Sequence, residues 1–205
     1  MSDSVPFTGD PADTHEAIMH GTFFALKEYG YAELSIQRIS NELNLSKSTL
    51  YHHFSGKEDL LLSFFDFLLD HLEQFYESGS INEPQKAISD IIDALLNENI
   101  TPKKRSAEGE VLAMYVELRS QAIRDAKYRE RIAKADQRFI GQVATIINTG
   151  IDQGVFQAVE PEETAEFLLA VLHGILIQGT TRESVPYQQL HQNLTEYLQA
   201  ELFVE

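Results

Sequence analysis

Apolar residues recur along this chain at spacings of three and four, the repeat of an α-helix that buries one face. The pattern predicts a first helix opened by Asp10 as N-cap with Pro11 in its first position. Ile18, Gly21, Thr22, Ala25, Leu26 and Tyr29 form its inward row, and Gly30 ends it. Ser35 then caps a short helix with Ile36, Ile39 and Leu43 inward. Asn44 supplies a tight turn, because it tolerates left-handed backbone, and Ser46 caps a third short helix with Leu50, Tyr51 and Phe54 facing in. Ser55-Gly56-Lys57-Glu58 reads as a capping box. It opens a longer fourth helix through Leu61, Phe64, Phe65, Leu68, Leu72, Phe75 and Tyr76, stopping at Gly79.

The helical repeat continues to the C-terminus. One helix is expected over 84–97, with Ala87, Ile88, Ile91, Ile92 and Leu95 inward. The breaker Thr101-Pro102 precedes helices near 105–123 and 126–150, the second ending at Gly150 and Gly154. Glu160-Pro161 starts another that reaches Gly179, and Pro186 opens the last, running to Phe203. Two short helices joined by a three-residue turn, within 35–54, are the signature of a helix-turn-helix. Neither an internal repeat nor a low-complexity tract interrupts the pattern.

Composition narrows the chemistry. The absence of cysteine excludes disulfides, thiolate metal sites and thiol nucleophiles. The acidic, polar N-terminus does not resemble a targeting signal, and no uninterrupted apolar run reaches about 18 residues. Both point to a cytoplasmic protein with no membrane partner. The formal charge of −16 argues against a nucleic-acid binder, and residues 1–60 carry nine acidic side chains against four basic ones. Between Ser35 and Lys57 the balance reverses, with Arg38, Lys47 and Lys57 facing the single acid Glu42. A small positive strip thus sits on an acidic body, a composition that also suits a salt-rich cytoplasm.

The stretch from Glu28 to Leu62 resembles the TetR (TetR/AcrR) family of transcriptional regulators. The likeness is carried by Tyr29-Gly30, Ser35, the apolar turn Leu43-Asn44-Leu45, Ser46, Leu50-Tyr51-His52-His53-Phe54 and Lys57-Glu58-Asp59-Leu60. Family members commonly have Ala-Gly-Val at the turn, a departure that bears on the operator sequence and not on the fold. The resemblance implies an all-α protein of about nine helices. A three-helix helix-turn-helix DNA-binding domain over 1–57 would precede a helical bundle for ligand sensing and dimerisation over 58–205. It also implies a sequence-specific regulator, not an enzyme, that works without a cofactor as a homodimer. Its partners would be a double-stranded DNA operator and a small-molecule effector, hydrophobic or cationic, that releases a repressor from that operator.

In a helix-turn-helix the start of the third helix reads base edges. Lys47, Ser48 and His52, with Gln37 beside them, are the candidates, since lysine donates to guanine and glutamine pairs with adenine. Thr49, Tyr51, His53 and Lys57 are phosphate contacts by resemblance, and the Ser46 and Ser55 caps leave backbone N–H groups for the same phosphates. Tyr51 is expected to combine that contact with packing on the first helix, and Arg38 is either a contact or a solvated charge. The His52-His53 pair lacks the further ligands a metal site requires.

The later basic residues from Arg119 to Arg138, with Asp125–Arg129 and Glu130–Lys134 at i,i+4, read as a salt-bridged surface. Phe67, Met114, Tyr115, Phe139 and His173 are the candidates for an effector pocket between helices, although helical spacing makes them equally good core. The dimer interface is expected on the last two helices through Leu168, Leu172, Ile175, Leu176, Leu190, Leu194 and Tyr197. An all-helical enzyme lacks its motifs here: no Glu-x-x-His pair, phosphate loop or nucleophile elbow is present. An interaction module that has lost DNA binding is the other alternative, opposed by Lys47 and Lys57.

Overall fold

The computed structural model describes residues 10–43, 45–77, 81–96 and 107–204. The turn residue Asn44, the helix end at Gly79 and the breaker Thr101-Pro102 lie outside the described residues. So do the side chains of Phe75, Tyr76 and Leu95. The described residues form nine helices: α1 Thr14–Glu33, α2 Ile36–Glu42, α3 Lys47–His53, α4 Lys57–Glu77, α5 Pro84–Leu95, α6 Ala107–Gln121, α7 Ala126–Asp152, α8 Pro161–Thr181 and α9 Tyr187–Glu201. Extended structure among them is one antiparallel bridge between Phe156 and Phe203.

Local chemistry sets the helix ends. The first helix begins later than expected: Asp13, not Asp10, accepts from the Glu16 N–H at 2.8 Å. Glu16 in turn accepts from the Ala12 N–H at 2.6 Å, and this reciprocal pair decides between two aspartates that both fit a cap. Gly30 breaks the helix with φ 68°, a left-handed value that favours glycine, before one short turn leads to Glu33. Ser35 and Ser46 cap α2 and α3 by accepting from Arg38 N at 3.3 Å and Thr49 N at 3.1 Å. At the start of α4 the backbone and hydroxyl of Ser55 both donate to Asp59, at 2.9 and 3.0 Å, so Asp59 and not Glu58 completes that cap. Helix α7 continues through Gly150, and Gly154, at φ 71°, turns the chain.

Burial organises these helices into two cores. The first joins the helix-turn-helix to the rest: Ile18, Met19, Leu26, Ile39, Leu50 and Phe54 pack with Leu61, Phe64, Phe65 and Leu68 of α4 and with Val111, Met114 and Leu118 of α6. The helix-turn-helix is therefore seated on α4 and α6 rather than hung from a linker. The second core holds α5, α7, α8 and α9 through Ile88, Ile91, Val143, Ile147, Leu168, Leu172, Leu194 and Leu198. Between α7 and α8 the Phe156 ring lies against Gly150 and stacks on Phe203 at 5.2 Å, tying the turn to the C-terminus. Helix α8 is long and apolar enough, by length and composition, to cross a membrane, although Glu166 and His173 interrupt its apolar run. Three acids, Glu162, Glu163 and Glu166, occupy its first two turns, and its row Leu168, Leu172 and Ile175 is buried against the second core.

A β-carbon on Gly150 would fall directly on the Phe156 ring, whereas one on Gly141, in the same helix, would meet nothing. Gly150→Ala is expected to cost about 1–3 kcal/mol through overpacking. Gly141→Ala should be neutral or gain up to about 1 kcal/mol. Urea unfolding midpoints of the two variants check this, and equal midpoints would contradict the packing described.

Candidate DNA-binding face and effector cleft

Helices α2 and α3 meet through the turn between them. The Ser40 hydroxyl donates to the Leu45 carbonyl at 2.6 Å, and Leu45 N–H donates to the Ser40 carbonyl at 3.1 Å. This clamp sets the angle at which α3 leaves the domain. Leu50 is fully buried beneath α3, so Lys47, Ser48, Tyr51, His52 and His53 are turned outward, with Gln37 exposed on α2. The Ser46 hydroxyl lies 2.7 Å from that of Ser48 and 2.9 Å from that of Thr49, grouping three hydroxyls at the helix start.

Two expectations for this face need correction. Tyr51 does not pack on the first helix: it is 55% exposed, because the single buried row of a seven-residue helix is already taken by Leu50. Tyr29 is likewise not core; its ring lies under the Arg38 guanidinium at 4.3 Å. Arg38 also donates to the Glu33 carboxylate at 3.0 Å, so its charge is partly neutralised within the domain. Lys57 donates to the Tyr31 carbonyl at 3.0 Å and lies 5.2 Å from that ring's centre, which holds α4 to the end of α1.

Two further contacts attach this domain to α6. The Glu117 carboxylate accepts from the Tyr31 N–H, just after the Gly30 break, at 3.1 Å. Lys27 pairs with Glu110 at 2.6 Å. Neither pair falls within one helix, so spacing could not reveal them.

A cleft of about 670 Å3, counting its open mouth, lies between α4, α6, α7 and α8. Leu69 and Leu72 of α4, Leu112 and Tyr115 of α6, and Ala135, Asp136 and Phe139 of α7 line three sides. Leu169, Leu172, His173 and Leu176 of α8 close it. Of the expected pocket residues, Tyr115, Phe139 and His173 are thus brought together. Phe67 and Met114 are not: Met114 is buried in the first core, and Phe67 packs there with its ring near that of His20.

One wall of the cleft carries a chain of polar groups. Arg119 grips both carboxylate oxygens of Asp136, at 3.1 and 2.8 Å, and donates to the Tyr115 hydroxyl at 2.7 Å. That hydroxyl lies 3.2 Å from His173 Nε2. Burial, aided by the Arg119 charge, pushes the His173 pKa down to about 4, so the imidazole is neutral at physiological pH. Burial drives the Tyr115 hydroxyl up to about 12. It also opposes the charge on Arg119, but the hydrogen bonds that the guanidinium donates to Asp136 and Tyr115, with their charges, prevail and raise it further. Sequence reasoning missed this pair: it read Arg119 as part of a salt-bridged surface and did not single out Asp136. Arg131 and Arg138 also reach across to α4, pairing with Asp66 at 2.8 Å and Glu73 at 3.0 Å. Glu130–Lys134 forms at 2.8 Å, whereas Asp125 caps α7 and Arg129 donates to the Ala122 carbonyl.

The expected dimer residues also divide. Leu168, Leu172, Ile175 and Leu194 are buried inside the protomer, and Leu190 is partly buried against the same core. Leu172 and Leu176 face the cleft. Their apolar character is used within the chain, so a partner could not reach most of them. The outward row of α8 is instead Phe167, Gly174 and Ile177, beside Tyr197 of α9, while Val171 packs partly against the second core. Phe167, Ile177 and Tyr197 are 45%, 47% and 44% exposed.

Comparison with known proteins matches the chain in two stretches. Residues 18–64 match the family described as "Bacterial regulatory proteins, tetR family", and residues 84–202 match "BetI-type transcriptional repressor, C-terminal". The HTH-type transcriptional regulator YfiR of Bacillus subtilis is 25% identical over 172 residues, 82% of either chain. A TetR transcription regulator from Haloarcula marismortui superposes with a TM-score of 0.82 at 28% identity, covering 92% of this chain and 97% of that one. A transcriptional regulator from Saccharomonospora viridis, solved in complex with choline, shares the fold with a TM-score of 0.73 at 22% identity, over 93% and 98% of the two chains.

The depressed His173 pKa carries a prediction. In the unfolded chain the imidazole takes a proton below about pH 6.5, while the folded one stays neutral to about pH 4. Its contribution is therefore complete above pH 6.5 and is lost as pH falls from there toward 4. His173→Phe should remove about 1–3 kcal/mol of that pH-dependent loss, read as a flatter curve of unfolding free energy against pH. His20 and His71, both lowered by burial, act in the same direction and remain in both proteins. Parallel curves for the two proteins would contradict the assignment.

Proposed function

Because this chain belongs to the TetR family of transcriptional regulators, we propose that it is a cytoplasmic homodimeric repressor, released from its operator when a small molecule enters the cleft between α4, α6, α7 and α8. The observation that carries this reading is the double attachment of α6. Tyr115 and Arg119 stand at the cleft, while Glu110 and Glu117 of the same helix hold Lys27 and the backbone of Tyr31 in the DNA-binding domain. A ligand that displaces α6 must act on α1, and through the shared first core on α3. Such a ligand shifts operator affinity only as far as it favours one arrangement over the other.

In this reading Lys47, Ser48 and Gln37 face base edges, while Tyr51, Thr49 and His53 face phosphates. Ser46 offers the backbone N–H groups of α3, and His52 stands between the two sets. Arg38 and Lys57 hold the domain in shape first and approach DNA second. The cleft's apolar walls suit a hydrophobic effector. The S. viridis regulator holds choline, so a quaternary ammonium is the other class to consider. The partner protomer is assigned to the outward row of α8, where Gly174 leaves open space for close approach. Closed twofold symmetry covers such a row on both copies at once.

Two outcomes check this reading. Lys47→Ala is expected to relax sequence preference in a binding-site selection, and Tyr51→Ala to weaken every sequence alike, by about tenfold. Equal loss on all sequences for Lys47→Ala would remove its base-reading role. For assembly, Ile177→Glu should turn the dimer into a folded monomer in sedimentation equilibrium and abolish tight operator binding. Leu172→Glu, set in the protomer core, should lower the unfolding temperature instead. An Ile177→Glu protein that remains dimeric would refute the proposed interface.

A further inference from the structure

The polar wall of the cleft is electrically closed. Both Asp136 oxygens are taken by Arg119, and the same guanidinium supplies the proton that the Tyr115 hydroxyl accepts. A bidentate pair of this kind leaves neither charge available without breaking two charge-assisted hydrogen bonds. With its lone pair occupied by Arg119, Tyr115 is set to direct its own proton to His173 Nε2. A neutral imidazole that accepts at Nε2 keeps its one proton on Nδ1. Among the described residues no group bonds Nδ1, and His173 lines the cleft. The remaining lining is aliphatic apart from the Phe139 and Tyr115 rings.

We propose that the effector is an uncharged, largely apolar molecule with one hydrogen-bond acceptor, such as a ketone or ester oxygen, that takes the Nδ1 proton of His173 at the end of the Arg119–Tyr115 relay. The inference rests on the reading of the cleft as the effector site. A cation entering here finds Asp136, the one carboxylate among the described lining residues, already neutralised and a guanidinium beside it. An anion finds that guanidinium already held by Asp136. Either charge is stripped of water without gaining a free counter-charge, a penalty that the apolar walls do not offset. A carbonyl oxygen loses far less on entry and recovers it at Nδ1.

Three probes of the same chain length separate the classes: 2-decanone, decanoate and decyltrimethylammonium, each titrated calorimetrically into the full-length protein. The ketone is expected to bind at least about tenfold more tightly than either ion. His173→Phe, which keeps the ring and removes the donor, should weaken the ketone about five- to tenfold and leave decyltrimethylammonium unchanged. Arg119→Gln uncovers Asp136 and should move preference toward the cation by about tenfold or more. Tighter binding of either ion to the native protein, equal binding of all three, or no binding of the ketone would each overturn the proposal. Ala135→Trp, which fills the cleft, separates this failure from that of the site itself. A ketone that binds the filled variant as well as the native protein lies elsewhere, and then the cleft is not the effector site.

Discussion

Helix α6 faces two ways, and the remainder of the architecture depends on that. Leu112, Tyr115 and Arg119 stand toward the cleft and α7. Glu110 and Glu117, seven residues apart and so on one side of the helix, hold Lys27 and the Tyr31 N–H of α1. The attachment to Tyr31 is made one residue beyond the Gly30 break, where the backbone has left the helix and its N–H is free to find an outside acceptor. Lys57 takes the carbonyl of the same Tyr31. A single peptide segment is thereby held by α4 and α6 together, so displacement of either is felt where the helix-turn-helix begins.

The acidity of the chain is easier to understand once its cations are located. Arg119, Arg131 and Arg138 are all held by carboxylates across helix boundaries, fastening α7 to α6 and α4. Lys27 is spent on Glu110 and Arg38 on Glu33. Lys47 stands apart on the exposed start of α3, on the face that meets DNA in the proposed reading. In that reading, with these basic residues committed to the scaffold, affinity for DNA leans more on hydroxyls, backbone N–H groups and the Tyr51 phenol than on lysines. Such contacts release fewer counterions than a basic surface would.

What could be read from the residues was whatever depends on neighbours in sequence. Ser35 and Ser46 announce their helices because a cap needs only the next three residues, and Gly30 announces a break because few other residues adopt its backbone. The failures share a cause. Asp10 and Asp13 both fit the start of α1, and only the Ala12–Glu16 contact separates them. The apolar residues of α8 nearly encircle the helix, so periodicity cannot say that Leu168 and Leu172 turn inward while Phe167 and Ile177 remain outside. Arg119 and Asp136 lie 17 residues apart across a helix boundary. They were invisible to any i,i+4 rule, which favoured the Asp125–Arg129 pair that does not form. The cleft was half legible: its aromatic and histidine members stand out in composition, whereas the ion pair that sets its charge does not.

The link between cleft and DNA can be measured without knowing the effector. Ala135→Trp places a bulky ring where a ligand would sit, and its effect on affinity for DNA obtained by binding-site selection can be compared in two backgrounds. In the native background the filled cleft should weaken DNA binding by about tenfold or more. In Lys27→Ala/Glu117→Ala, where the two polar ties of α6 to α1 are removed, the loss should fall below about threefold, a coupling of the size expected between linked sites. An equal loss in both backgrounds would contradict transmission through α6.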